Sequence, residues 1–315
     1  MSVFSYSLNP LEQWDRHCSR YNALFQSSAW QALLEKSFPC QTVYGWNPDT
    51  KCGIAITNFK AGPFRIGYLG FPIGGLIGAG ALDRDTVTAW KKPQVPLGSH
   101  CLRIPVSAFS DADELQLPYL ENPETAIVNL QDWSLDSVSK KLRRDVRKAH
   151  RSELMLVDAT LPSCGSDMYR IYHDTVKRHR GGVRYNETYF TGLISLAQSH
   201  SGLRCILARL DDEIAGFVIV CRHGETAYYL HGGTNLSLKR HNPSDLLLYE
   251  AVTWAKQEGS QCFNLMTSSE SQSSLIRYKE KWGGVTRQHK TYTYSLKLPL
   301  CMAFRAAEKL YNLNR

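Results

Sequence analysis

The chain has no Cys-x-x-Cys pair and no close Cys/His cluster; its nine cysteines, at 18, 40, 52, 101, 164, 205, 221, 262 and 301, are scattered and odd in number. This pattern speaks against a zinc site or a disulfide framework and for reduced thiols in a cytoplasmic protein. The opening residues, Met1-Ser2-Val3-Phe4-Ser5-Tyr6-Ser7, lack the basic-then-apolar profile of a signal peptide. Long hydrophobic runs are missing too. The longest uncharged stretch, Ile66 to Leu82, has 17 residues but contains Pro72 and six glycines, so it reads as a buried strand with glycine-rich loops rather than a membrane helix. There is no P-loop, Rossmann fingerprint, HExxH or GxSxG, no repeat at a fixed period and no low-complexity tract.

What is present is a folded chain of two-domain length. Its 315 residues are 43% hydrophobic, 21% charged and 11% aromatic, too apolar for disorder and sufficient for a sizeable core. The formal charge of +8 is uneven: residues 1 to 134 carry 10 basic and 12 acidic groups, while residues 135 to 315 carry 27 and 17. An anionic partner would therefore meet the second half.

In the first half, Asn9 to Phe38 has a helical period in two pieces, the second capped at Ser27-Ser28. Strands follow at Gln41 to Gly45 and Ile54 to Phe59. The stretch Asp83 to Glu124 reads as a short helix, a strand near His100 to Ile104, and an acidic, proline-containing connection. A strand at Ile127 to Leu130 precedes a domain joint near Trp133. The second half alternates regularly: helix Leu135 to Ser152, strand Leu154 to Val157, helices Ser166 to His179 and Glu187 to His200, then strands Leu203 to Leu210 and Ile214 to Arg222, with Thr226 to Thr234 closing their edge. A polar loop, Asn235 to Asp245, leads into a helix at Leu246 to Glu258, a buried strand at Cys262 to Met266, a helix at Ser273 to Trp282 and a strand at Tyr292 to Leu296. Pro299 to Leu313 reads as a basic amphipathic helix with Met302, Phe304, Leu310 and Tyr311 as its apolar positions.

Lys140 to Arg151 holds seven Lys/Arg and one Asp. Val138, Leu142, Val146 and Ala149 share one helix face, so the cations crowd the others, and the pairs Arg143/Arg147 and Arg147/Arg151 repel. Two readings stand: a solvated basic face, or a binding site for phosphate or nucleic acid. Lys177-Arg178-His179-Arg180-Gly181-Gly182 is either a helix end with cations suited to the dipole or a second anion contact. Tyr228-Tyr229-Leu230-His231-Gly232-Gly233 ends a strand where backbone can approach a ligand, and His231 is either a base or a structural histidine. Lys279 sits among Leu275, Ile276 and Trp282, so its charge points at a pocket or it is an ordinary surface lysine.

From Ser166 to Leu296 the order of elements resembles a GNAT acyltransferase, and the segments resemble the FemAB-like branch of that superfamily. They are Leu142 to Ala149, Tyr172-x-x-Thr175-x-x-Arg178, Ala215-Gly216, Ala227-Tyr228-Tyr229-x-x-Gly232, Pro243-x-x-Leu246-Leu247, the Ala251 to Gly259 helix, and Tyr278-Lys279-x-x-Trp282-Gly283. Phe25-Gln26-Ser27-Ser28-x-Trp30 resembles the family's usual first helix and implies a degenerate N-terminal lobe. The resemblance implies an α+β fold of two tandem GNAT-like lobes with mostly antiparallel sheets and flanking helices: residues 1–134, residues 135–298 as the acyltransferase domain, and a C-terminal helix at 299–315. It implies an N-acyltransferase that moves an acyl or aminoacyl group to an amine acceptor, a cell-envelope or polysaccharide precursor. The donor substrate would be acyl-CoA or aminoacyl-tRNA, with no permanently bound cofactor, no metal and no DNA partner. Lys279 would neutralise developing charge or hold a donor phosphate; Arg143, Arg144, Arg147 and Arg178 would bind phosphates; Tyr228, Tyr278 and His231 would line the cleft, with His231 a base. Two departures stand out: Asn235 to Asp245 lacks the glycine-rich pyrophosphate signature of acetyl-CoA-binding members, and Asn264 stands where relatives carry Asp. The alternative is a non-catalytic protein that uses Lys140 to Arg151 to bind RNA or anionic lipid.

Overall fold

Side-chain caps begin three of the helices. The Ser27 hydroxyl accepts from the Trp30 N–H at 3.2 Å, Ser139 from Leu142 at 3.3 Å and Asn186 from Tyr189 at 3.0 Å, each satisfying a donor that the first helical turn leaves open. These caps start helices α2 (Ser28–Ser37), α3 (Lys140–His150) and α5 (Glu187–Ser199). A short helix α1 (Trp14–Arg20) precedes them, and α4 (Cys164–Arg178), α6 (Pro243–Gln257), α7 (Ser273–Glu280) and α8 (Leu298–Leu313) complete the set described in this computed structural model. It describes residues 4–78, 98–110, 112, 114–178 and 181–313, excepting the side chains of 310–313.

The chain divides into two units, Met1–Asn122 with Gln288–Arg315, and Pro123–Arg287. In the first, strands β1 (Ser5–Ser7), β2 (Cys40–Asn47), β3 (Cys52–Ala61), β4 (Phe64–Leu69) and β5 (Cys101–Val106) lie in that order. Strand β6 (Tyr119–Ile127) passes from the first unit into the second. In the second unit, β7 (Met155–Asp158), β8 (Leu203–Leu210), β9 (Glu213–His223), β10 (Thr226–Thr234) and β11 (Cys262–Thr267) lie with β6 in the order β6-β11-β10-β9-β8-β7. Strand β12 (Val285–Ser295) returns the chain to the first unit, pairing with β5. The described pairings within each unit are antiparallel except β4 with β5 and β10 with β11.

The first unit is tied together by a buried cation. Arg103, 1% exposed, donates to Thr293 Oγ1 at 2.5 Å and to the Glu308 carboxylate, joining β5, β12 and α8. In the second unit, one sheet face carries Val218, Val220, Leu142, Val146, Leu247, Trp254 and Trp282 in a continuous core beneath α3 and α6. Because side chains alternate along a strand, Phe217 and Ile219 turn to the other face, where Phe217 meets Phe190 of α5 at 5.9 Å. Trp133 closes the first face: its ring stacks on Trp282 at 6.4 Å and its indole N–H donates to the Trp282 carbonyl at 2.8 Å.

Several expectations change. The basic helix starts at Lys140, not Leu135, because Leu135–Ser137 form a separate 3₁₀ turn before the Ser139 cap. Thr226–Thr234 closes the edge of the β8/β9 pair as expected, by pairing with β9, and is itself joined by β11 on its other side. The acidic connection becomes most of β6, and the last strand begins at Val285 rather than Tyr292. Met302 is 60% exposed, while Phe304 packs edge-on against Phe64 at 5.6 Å. The helix expected after Asp83 falls largely, and His179 and Arg180 fall entirely, outside the described residues, as do the side chains of Leu310 and Tyr311. Trp282→Ala, which empties the space under Trp133, is expected to destabilise the second unit by about 3–5 kcal/mol in urea unfolding.

Candidate active site

Strands β10 and β11 run side by side only briefly. Thr226–Tyr228 pair with Cys262–Asn264, and beyond that point neither strand has a further partner in the other among the described residues, although β10 continues to Thr234 and β11 to Thr267. Both strands are irregular where they part. β10 shifts register between Tyr229 and His231, and β11 shifts between Asn264 and Thr267 against β6.

The second irregularity is built from side chains. Met266 takes a left-handed backbone with φ 63°, and its N–H, released from the strand ladder, donates to Asn264 Oδ1 at 2.7 Å. Asn264 is fully buried and its amide donates to Glu124 Oε1 at 2.8 Å, also fully buried, on the neighbouring strand. The bulge presents the Met266 and Thr267 carbonyls to Lys279 of α7. The ammonium donates to Met266 O at 2.8 Å, Ser268 Oγ at 2.8 Å and Thr267 O at 3.3 Å, which uses all three of its hydrogens.

Lys279 is 6% exposed. Burial lowers its pKa from 10.5 to about 7, and the charge of Glu124 works against that shift. The expected choice between a surface lysine and one aimed inward is thus resolved by geometry: the side chain points into the fold. An ammonium so placed is a desolvated, oriented donor, the kind of group that stabilises negative charge developing on a carbonyl oxygen.

The other expected residues divide into groups. Tyr228 is buried, and its register with Cys221 and Asn264 puts it on the same sheet face as Asn264; Glu124 is among the charges that, after burial, push its phenol pKa up. Tyr278 donates to Asp245 Oδ1 at 3.0 Å, linking α7 to the first turn of α6. Burial raises the pKa of Asp245, and the charges of Asp145 and Lys141 on α3 also reach it, so Tyr278 and the basic helix share a neighbourhood. Arg143 lies 3.2 Å and Arg147 3.7 Å from Asp136, which relieves the repulsion expected between them; Arg144 approaches Asp145 at 3.7 Å. Arg178 is exposed at the end of α4.

His231 does not join this group. Its ring is enclosed by Tyr172, Tyr185, Tyr189 and Phe190 of α4, α5 and the segment between them, and its Nε2 lies 3.3 Å from the Tyr189 hydroxyl. Burial lowers its pKa to about 3, so the imidazole is neutral and weakly basic. This setting removes His231 from the base assignment. The residues that sequence reasoning passed over are Glu124, hidden in a stretch read as a connection, and Ser268, which carries no motif. Asn264 was visible only as a departure. Among the described residues no group of His, Cys, Asp and Glu could hold a metal ion, and no helix is long and apolar enough to cross a membrane.

Comparison with known proteins follows the same division. Residues 136–280 match the family model of an acetyltransferase (GNAT) domain. No curated protein matches the chain. Among solved structures, FemX is similar over 95% of this chain and 99% of its own, with TM-score 0.69 at 13% identity. The C-terminal domain of an Agrobacterium fabrum protein assigned as a lysylphosphatidylglycerol synthetase aligns over 94% and 96%, with TM-score 0.60 at 14% identity. A tandem GNAT protein from the clavulanic acid biosynthesis pathway aligns over 92% and 89%, with TM-score 0.51 at 10% identity.

Between pH 7 and 10.5 the unfolded chain holds a proton on Lys279 that the folded chain has released, so this group makes stability rise with pH across that window and depresses it fully below about pH 7. Lys279→Met is expected to lack that slope, so the difference between variant and parent urea-unfolding free energies changes with pH across the same window.

Proposed function

We propose, from a second unit whose residues 136–280 match the GNAT acetyltransferase family model in a chain with a fold like that of FemX, that the protein is an N-acyltransferase whose reaction is centred where β10 and β11 part. The observation that carries this reading is the Lys279 ammonium, buried and held by the carbonyls of the β11 bulge. The free amine of the acceptor attacks the carbonyl carbon of the donor, forming a C–N bond and an oxyanion. Lys279 exchanges its longest contact, to Thr267 O, for that oxyanion. Collapse breaks the C–S bond of a thioester or the C–O bond of an aminoacyl ester, and the proton lost by the amine leaves with the thiol or hydroxyl. The chain's contribution is orientation and charge stabilisation.

The donor is acyl-CoA or aminoacyl-tRNA, each polyanionic. The exposed Arg144 and Arg147, with the partly exposed Arg143, suit either, since guanidinium forks match phosphate oxygens. The neighbour assigned as a lysylphosphatidylglycerol synthetase favours the aminoacyl donor, and the FemAB-like resemblance of the motifs favours a cell-envelope acceptor. Tyr278, anchored on Asp245, and Tyr228 shape the acceptor side; Arg178 is a further phosphate contact. The chemistry is assigned to the second unit, Pro123–Arg287, where the sequence led to the expectation of a domain at 135–298.

A second reading, binding of RNA or anionic lipid without catalysis, rests on the same exposed cations of α3. The two differ in what Lys279 does. Lys279→Ala is expected to lower turnover by about 10²–10³-fold, the loss typical of removing one oxyanion donor, with the far-ultraviolet spectrum unchanged. Full activity in that variant rejects the assigned role. Arg144→Ala with Arg147→Ala is expected to raise the donor KM and flatten its salt dependence while leaving kcat within a few-fold.

A further inference from the structure

Glu124 is a charged residue at this site that no motif marks. It is fully buried at the point where β6 enters the second unit, and its Cα pairs across the strands with Thr267, one of the two residues whose carbonyls hold Lys279. A continuous chain of contacts runs from it. Glu124 Oε1 accepts from the Asn264 amide at 2.8 Å, Asn264 Oδ1 accepts from the Met266 N–H at 2.7 Å, and Met266 O accepts from Lys279 Nζ at 2.8 Å. The strand on the same side contributes again, because the Ser268 N–H donates to the Pro123 carbonyl at 2.8 Å and so fixes the hydroxyl that takes Lys279's third hydrogen.

The chain of contacts explains the amide at position 264. An amide both donates to a carboxylate and accepts from a backbone N–H, whereas a carboxylate here could accept from that N–H but would meet Glu124 with a second negative charge instead of a donor. A buried carboxylate and a buried ammonium bridged by an amide and one residue of bulged backbone is an arrangement in which each charge offsets the desolvation cost of the other.

We propose that Glu124 is a positioning residue: through Asn264 it sets the β11 bulge that seats the Lys279 ammonium, and its carboxylate supplies that ammonium with a counter-charge inside the fold. The catalytic consequence rests on the acyltransferase reading, while the positioning itself does not. The titratable groups around this network are Glu124 on β6, Tyr228 on β10, Cys262 on β11 and Lys279 on α7. Burial pushes Tyr228 up, and Cys262 to about 11, so neither ionises near neutrality; the cation Arg287 acts on Cys262. Glu280, on the same helix as Lys279, is exposed and accepts from Thr286 at 2.8 Å.

The test is carried out on the full chain labelled with ¹³Cε-lysine, with the Lys279 resonance assigned by its disappearance in Lys279→Arg. Glu124→Gln keeps the shape and an acceptor for Asn264 but removes the charge. It is expected to lower the Lys279 titration midpoint by about one pH unit, the size of effect a nearby opposite charge produces, and to move the alkaline limb of the turnover profile the same way. An unchanged or raised midpoint in the folded variant overturns the proposal. Should that variant fail to fold, Asn264→Ala, which leaves both charges and cuts the link, is expected to shift the Lys279 resonance and lower kcat more than tenfold; an unshifted resonance overturns it equally. Absence of acyl transfer by the parent protein would reject the functional reading and leave the titration to decide this one.

Discussion

Everything proposed for this chain depends on one held charge, the ammonium of Lys279 donating to two backbone carbonyls and a serine hydroxyl at the end of β11. A lysine rarely enters a fold, because removing an ammonium from water costs several kcal/mol unless its hydrogens are satisfied. Here the cost is met by a defect in a strand. The bulge at Asn264 to Thr267 turns carbonyls that a regular ladder would consume toward the side chain, and the left-handed Met266 is the residue at which the backbone turns. The glycine after Trp282, with φ 85°, ends the segment that delivers the lysine, and Trp282 itself is clamped by Trp133. Fold and site are thus one construction: the core beneath α3 and α6 fixes α7, and α7 fixes the charge.

The basic helix plays a different part. Its apolar stripe of Leu142, Val146 and Ala149 is buried and its cations remain outside, with Asp136 and Asp145 as the acidic partners of its arginines. Exposed pairs of this kind contribute little to stability, so the helix is held by its stripe and its charges are free to act on a ligand. The electrostatic reach from Lys141 and Asp145 to Asp245, whose carboxylate accepts from Tyr278, connects that surface to α7. On the proposed function, a polyanionic donor and a buried carbonyl-activating ammonium would then be served by adjoining parts of one unit.

Much of the second unit could be read from residue order. The cap at Asn186 (and, in the first unit, that at Ser27), the stripe on α3 and the apolar run from Ile214 to Cys221 are local signals, and local signals survive into the structure. Non-local features were not visible. That Thr226–Thr234 lies inside the sheet depends on a strand more than thirty residues later, and that β12 starts at Val285 depends on pairings its polar residues do not announce. The division of the chain differs from one drawn along the sequence for the same reason: the first unit is completed by residues after Arg287, which only three-dimensional contacts assign. At the site, Lys279 and Tyr278 were legible as a motif. His231 looked like a base because a sequence does not display the four aromatic rings that enclose it, and Glu124 looked like part of a linker because a buried carboxylate has no sequence signature apart from its partner.

The account places the donor's reacting carbonyl at Lys279. The most direct measurement is a crystal structure of the protein with a donor analogue inert to transfer, the ketone analogue of an acyl-CoA or the amide-linked analogue of an aminoacyl-tRNA 3′ end, whichever binds. The account predicts the analogue's carbonyl oxygen at about 3 Å from Lys279 Nζ, hydrogen-bond distance, with the contact to Thr267 O given up. A carbonyl seated elsewhere, with Lys279 still bonded to Met266, Thr267 and Ser268, would contradict it.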